Sequence, residues 1–494
     1  MPGACAVSNA VQRVVVFGGG VAAAMAALAV GRAYARLGTD VTWIDTGEAP
    51  APHAALIAPP DLATFHRLLG IDEAALVRHA AATVNMGQQF AGWSGGDHAF
   101  LHAYGDAGSP FASLPFVQHW TRARQAGLGV ALEDFCLAAA AAKQGRTGAP
   151  REAATRQAVK QGWHLDAARY AKLLRAACKR ADVRIVSCTS AAVRTGGDRI
   201  GRIVLADGAP VDADLFIDTH GALVASLDPD ATSERPGFCD RIIRASAPAF
   251  DPLPLYSRVA AHAAGWLTLI PLSGRTAIEF AYDSKTLSDA DAPAALATVL
   301  GRSVDTAPPA PLANSARARA WVGNVVAVGP AAGAAPPLDG AELLLLQLGI
   351  AQMVLLWPID RAAMVEADIY NEELAGTRAR VADFTAQHFR LNARIGEPFW
   401  DDARTTPISA ELASKIDLFA ARGMFAHFNH EAHVEDSWAL VMAGHGVTPR
   451  SFDPQALLTE DQALMTEFQR QLRAVASDVH AMETHVDALR RMRG

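Results

Sequence analysis

The residues whose spacing most clearly suggests chemistry are small ones. Residues 13–30 read RVVVFGGGVAAAMAALAV. Gly18, Gly20 and Ala23 form a G-x-G-x-x-A pattern between the apolar run Val14–Phe17 and an alanine-rich stretch. A short, fully apolar run suits a buried parallel strand. The first glycine permits a tight turn and the second lets backbone approach a pyrophosphate. The third position needs only a small side chain for helix–strand packing. Val21 and Ala22 open the helix, whose first N–H groups would face the phosphates. A second strand, Asp40–Ile44, ends in Asp45, where a carboxylate would hold a ribose hydroxyl. A glycine turn in a ligand-free βαβ unit is the plain alternative. The ordered context of strand, turn, helix, strand and acid favours a dinucleotide.

Which dinucleotide is bound is decided by remote segments. No second glycine fingerprint for a nicotinamide cofactor is found. Residues 212–227, DADLFIDTHGALVASL, read as a strand leading to Asp218 and Gly221, and residues 321–333, WVGNVVAVGPAAG, as a strand leading to Gly329, Ala332 and Gly333. Two distant strand-to-turn segments closing on the first one suit FAD. Gly329 is followed by Pro330, where hydroxylase-type folds often carry an aspartate for the ribityl chain. That suits weak, reversible binding.

Composition limits the alternatives. The chain has 494 residues, 51% hydrophobic and 19% charged, with a formal net charge of −7. This is enough to bury a large core. The acidic balance and lack of basic runs argue against nucleic acid and against a membrane surface. Leu343–Trp357, one of the most apolar stretches, falls short of a span. Cys5, Cys136, Cys178, Cys188 and Cys239 are widely spaced, so free thiols are expected, with no metal site or disulfide framework. The N-terminus lacks a signal-peptide pattern, and a cytoplasmic protein is expected. Only six lysines occur, and the first of them is Lys143.

Seven blocks, in order, resemble the flavin-dependent tryptophan halogenase family. They are GGGVAAAMAA, LLGIDEAALVRHAAATVNMGQQFAGW, PFVQHWTRARQAG, GWHLDAARYAKLLR, GWLTLIPLSGRTAIEFAYDS, YNEEL with VADFTAQHFRLNARIGEPFW, and SWALVMAGHGVTPRSFDP. The resemblance implies an FAD-dependent aromatic hydroxylase-type fold and reduced FAD delivered by a partner flavin reductase. It also implies oxygen and halide as co-reactants, and a tunnel leading hypohalous acid to a lysine beside a small aromatic or peptide-borne substrate.

Three positions depart from that pattern. Asn85, in TVNMG, stands where the family has its lysine. An amide nitrogen is conjugated with its carbonyl and is neither basic nor nucleophilic. Thr268, in WLTLIP (Trp266–Pro271), replaces the second of two tryptophans that wall the substrate side. In PPLDGAEL, Asp339 keeps a carboxylate at the family's catalytic glutamate, while Gly340, Ala341 and Glu342 replace the halide residues. A glutamate there would repel a halide. The plain alternatives are an Asn85 that satisfies local backbone, a Thr268 chosen for strand propensity, and a Glu342 turned to solvent. Together the departures favour hydroxylation or oxidation by Asp339-assisted flavin chemistry, and leave halide use open. An atypical halogenase and a non-catalytic flavin-binding protein remain the other readings.

Further candidates are weaker. His119 and Trp120 lie in PFVQHW and are expected along the substrate cavity with Trp266, Thr268 and Pro271. Asp166 reads as an N-cap. His427, His430 and His433 are closely spaced, with a loop favoured over a metal site. Leu464, Phe468, Leu472 and Val475 recur at helical spacing, for packing on the body or on a second copy in a homodimer. The expected fold is α/β. A Rossmann-like FAD-binding domain with a mixed sheet interleaves with a substrate-covering sheet over residues 10–355, and a mostly helical region continues over 356–494.

Overall fold

The computed structural model describes residues 9–150, 153–229, 232–234 and 237–494, with only the backbone of Thr232–Glu234. Cys5 lies outside the described residues. The remaining four cysteines are free and buried.

Strand Arg13–Gly18 pairs in parallel with Asp40–Asp45 on one side and Leu215–Asp218 on the other. Arg184–Ser187 and Val325–Ala327 extend the sheet in parallel, and Trp321–Val322 adds an antiparallel edge, giving six strands. Val14, Val15 and Val16 are each at most 2% exposed, because helices cover both faces of such a sheet. The helix Gly20–Tyr34 is buried continuously from Ala23 to Gly31. It packs against Ala167–Arg180 and Ala341–Leu355, and the run of alanines lets these helices approach.

An eight-stranded sheet carries the second layer. Its path runs Asp305–Thr306, Arg241–Ala247, Thr276–Tyr282, Gly265–Pro271, Ser257–His262, Gly87–Ala91 and Ala99–Ala103, with Ala310–Pro311 pairing Arg241–Ala247 beside it. Its two faces differ in chemistry. One packs Ile243, Leu267, Ile278 and Phe280 against the helix Ala292–Leu300. On the other, register aligns Arg244, Glu279, Thr268, Val259, Phe90 and Phe100 in one row. Directly paired residues point to the same face, so the row runs from charged to aromatic across the sheet.

The C-terminal helices close over that second face. Glu366–Arg390 is the longest, and Phe389 with Trp400 joins Phe90, Trp93, Val259 and Trp266 in one buried cluster. Phe468, on Asp461–Ala481, packs against Phe116 and Phe135, so this helix covers the body of the same chain. The principal core includes Val14 and Ile350 as well as Tyr370, Phe384, Trp438 and Val479. Residues on either side of position 355 therefore share one core. No helix among the described residues is long and apolar enough to cross a membrane.

Candidate active site

The glycine turn opens onto a cleft of about 370 Å³ lined by Gly19, Gly20, Val21 and Ala22, with Glu48, Thr219 and His220 opposite. Gly18 has φ +135, and a Cβ there would stand 2.0 Å from Thr219 Oγ1. Gly20 has φ +67, a left-handed conformation that favours glycine. The helix that begins there has no side-chain N-cap, so its first amides are free to meet an anion in the cleft. Ala23 is fully buried and serves packing. Pro330, Arg244 and Glu342 also line an adjoining cavity bounded by Gly329, Ala332 and Gly333. A glycine turn, an uncapped helix start and a second strand-to-turn wall fit a bound FAD.

Asp45 ends its strand as expected, but its carboxylate is engaged locally. It accepts the Gly47 N–H at 3.1 Å and pairs with Arg175. The acid that lines the cleft is Glu48, 3.1 Å from His220 Nε2. Asp218 accepts four backbone N–H groups, from His220, Gly221, Leu223 and Val224, at 2.7–2.9 Å, and so braces the turn that presents Thr219 and His220.

The inner end of the cleft is charged. Arg244 Nε lies 3.0 Å from Glu279 Oε1. Glu342 is exposed and lines the cleft from the first turn of the helix Ala341–Leu355. Burial pushes both carboxyls up, with Arg244 pulling the other way. Thr268 lies next to Glu279 in the cross-strand row, and its hydroxyl has no partner among the described residues.

One turn before Glu342 stands Asp339, at φ +55, followed by Gly340 at φ +68. A left-handed aspartate is uncommon and tolerable. The turn aims its carboxylate away from the cleft, into a second cavity of about 100 Å³ lined by Asp61, His102, Tyr104, Lys160, Asp339 and His433, among others. The Asp339 N–H donates to Gln88 Oε1 at 3.0 Å. His388 Nε2 lies 3.3 Å from Oδ2 and His102 Nδ1 lies 3.7 Å from Oδ1. Burial would raise this carboxyl, but His388 and His102 more than offset that and hold it well below the usual carboxylate range. Burial pushes the Tyr104 phenol up, with Asp339 adding to it. Burial takes His433, stacked on Phe384 at 3.7 Å, down to about 3.

Asn85 is fully buried behind this cavity. Its oxygen accepts the Gly87 N–H at 3.1 Å and its nitrogen reaches Tyr104 Oη at 3.4 Å. Three lysines matter around it. Lys143 is tied to Glu133 and Asp134. Lys415 is buried, 2.6 Å from Glu431 and over the ring of Trp438. Lys160 stands exposed on the rim of the Asp339 cavity.

The other expected substrate residues lie elsewhere. Trp266 packs into the cluster with Trp93 and Phe389. The Pro271 carbonyl accepts the Thr83 hydroxyl. His119 bonds the Phe111 carbonyl and Trp120 the Val130 carbonyl, on the helix Phe116–Gln125, and neither lines the cavity of Asp339. His427 and His430 pair with Glu435 and Glu373, and no metal-binding cluster occurs among the described residues. Sequence reasoning missed Gln88, His102, Tyr104 and His388. For two of them a signal was present: Gln88 and His102 are polar residues in period with Phe90 and Phe100 on an inward face.

The same fold recurs in known proteins. A tryptophan halogenase family model matches residues 13–461. A tryptophan 7-halogenase of Kutzneria sp. (strain 744) is 26% identical over 84% of this chain and 82% of its own. BrvH, a flavin-dependent halogenase from Brevundimonas sp. BAL3, superposes with a TM-score of 0.91 at 27% identity, covering 98% of this chain and 99% of its own. A flavin-dependent halogenase from Xanthomonas campestris gives 0.92 at 28% identity, covering 98% of each chain. The fold agrees with that kinship, and the chain belongs to the tryptophan halogenase family, as an enzyme of the flavin-dependent halogenase type.

Proposed function

We propose that this enzyme uses reduced FAD and O2 to oxidise an aromatic substrate, an indole or similar ring, free or on a peptide, by oxygen transfer. FAD would lie along Gly18–Ala23, with Glu48 and His220 on one side and Gly329–Gly333 on the other, and when reduced and bound it supplies the electrons for activating oxygen. A separate flavin reductase would deliver it, since this chain carries no nicotinamide fingerprint. The ring would sit in the cavity of His102, Tyr104 and His433. Asp339 would take the proton that leaves the ring carbon. A ring carbon bearing both hydrogen and a new substituent is a strong acid, so a carboxylate with a low pKa suffices and stays ionised at neutral pH.

The observation that carries this reading is Asn85. At the position where the resemblance places an ammonium, a neutral amide is fixed by Gly87 and Tyr104. Glu342 supports it from the cofactor side, because a carboxylate beside the flavin disfavours a halide.

One observation favours a second reading, halogenation. Lys160 lines the same cavity as Asp339 and offers an ammonium from a different segment of the chain. Halide dependence decides. With indole, reduced FAD and O2, the first reading expects product formation unchanged by removing chloride and bromide. Product that requires halide and is lost in Lys160→Met supports the second.

A further inference from the structure

We propose that His388, His445 and Ser94 form a proton exit that drains Asp339 to the surface away from both cavities. This rests on the proposed role of Asp339 as proton acceptor. Four segments meet to build it. His388 Nε2 lies 3.3 Å from Asp339 Oδ2. The opposite nitrogen of the same ring, Nδ1, lies 3.0 Å from His445 Nε2. The opposite nitrogen of His445, Nδ1, lies 3.4 Å from Ser94 Oγ. His388, His445 and Ser94 are joined by hydrogen bonds, while the 3.3 Å contact of His388 Nε2 with Asp339 must tighten, with the His388 proton on Nδ1, for a proton to pass.

The chain is enclosed along its length and opens only at its end. His388 is fully buried, stacked on Phe90 at 4.1 Å. Burial keeps His445 neutral, its pKa well below 6.5. Ser94 is half-buried beside the exposed Gly96 and His98. The ionisable groups facing the chain are Asp339, His102, Tyr104 and His433 at the inner end and His98 at the outer. A structural pair of histidines would need one hydrogen bond each. Here both rings bridge in series between a cavity and the surface.

The step balances simply. The ring C–H bond breaks, its electron pair returns to the aromatic ring, and an O–H bond forms on Asp339. That proton passes to His388 Nε2, the Nδ1 proton of His388 passes to His445 Nε2, and the Nδ1 proton of His445 passes through the Ser94 hydroxyl to water. One proton enters and one leaves. The hydrogen is replaced by one oxygen atom of O2, whose O–O bond breaks as the C–O bond forms; the second atom leaves as water, with reduced FAD as the source of the two electrons and of the protons that water takes up.

His445 touches neither cavity, so His445→Gln isolates the relay. Two readouts on the full-length protein test it. In proton NMR of the unliganded protein, a strongly downfield imidazole N–H assigned to His388 Nδ1 is expected, and it should move upfield or vanish in His445→Gln. In indole turnover with reduced FAD, His445→Gln should lower kcat about tenfold in dilute buffer with KM unchanged. Added imidazole should restore the rate, and His388→Gln should behave alike. Loss of turnover in Asp339→Asn, with unchanged kcat, no imidazole effect and an unmoved resonance in His445→Gln, would overturn the relay alone. Undiminished turnover in Asp339→Asn would overturn the role of Asp339 and the relay with it.

Discussion

The two cavities on either side of residues 339–342 are built by different means. The cofactor cleft is made largely of backbone: a glycine turn, free helix amides and small residues that keep out of the way. The Asp339 cavity is made of side chains that come from four separate stretches of chain, with Gln88 bonded to the Asp339 N–H and two histidines set close to its carboxylate. A backbone site tolerates sequence change wherever the conformation survives. A side-chain site changes its chemistry with single substitutions.

The largest expected effect disables the second site alone. Asp339→Asn keeps the shape and the left-handed conformation, which asparagine also tolerates. It should lower kcat about 10²–10⁴-fold with FAD affinity unchanged, measured by steady-state kinetics and flavin fluorescence titration. Next comes Gly18→Ala, which distorts the first site. Its Cβ would stand 2.0 Å from Thr219 Oγ1 at φ +135. The strain is worth about 1–3 kcal/mol and should weaken FAD binding at least about tenfold, seen in the same titration.

These two sites were unequally legible. Gly18, Gly20 and Ala23 announce themselves because local spacing alone builds the turn. Asp339 could be placed by its neighbours in PPLDGAEL. His388 and His445 could not, because only packing of the helix Glu366–Arg390 over the sheet brings them within 3.0 Å of each other. Asp45 illustrates a further limit. Its position on the strand was readable, while its engagement by Arg175, on a helix 130 residues away, was not.

A smaller effect separates the two sites through pH. Burial lowers His433 to about 3, His66 and His485 to about 4, and His164 to about 3, the last helped by His485. The unfolded chain binds protons at these sites near 6.5 while the folded chain does not. Stability is therefore full above about pH 6.5 and falls as pH drops toward those values, by up to about 1.4 kcal/mol per pH unit for each histidine. Urea unfolding at pH 7 and pH 5 should show the loss. His433→Phe, which keeps the stack on Phe384, should recover about 1–2 kcal/mol of it at pH 5. In the cofactor cleft Glu279 and Glu342, raised by burial, act in the opposite sense, because folding favours their protonated forms. The smallest effect is a gain: Asn85→Lys should yield traces of halogenated indole, detectable by mass spectrometry, with Glu342 still opposing halide.

Oxygen transfer without halide is checked at its source by one turnover of indole with reduced FAD and isotopically heavy O2 in bromide buffer, the product being read by mass spectrometry. A product carrying one heavy oxygen and no bromine is expected. A brominated product without heavy oxygen, lost in Lys160→Met, would contradict it.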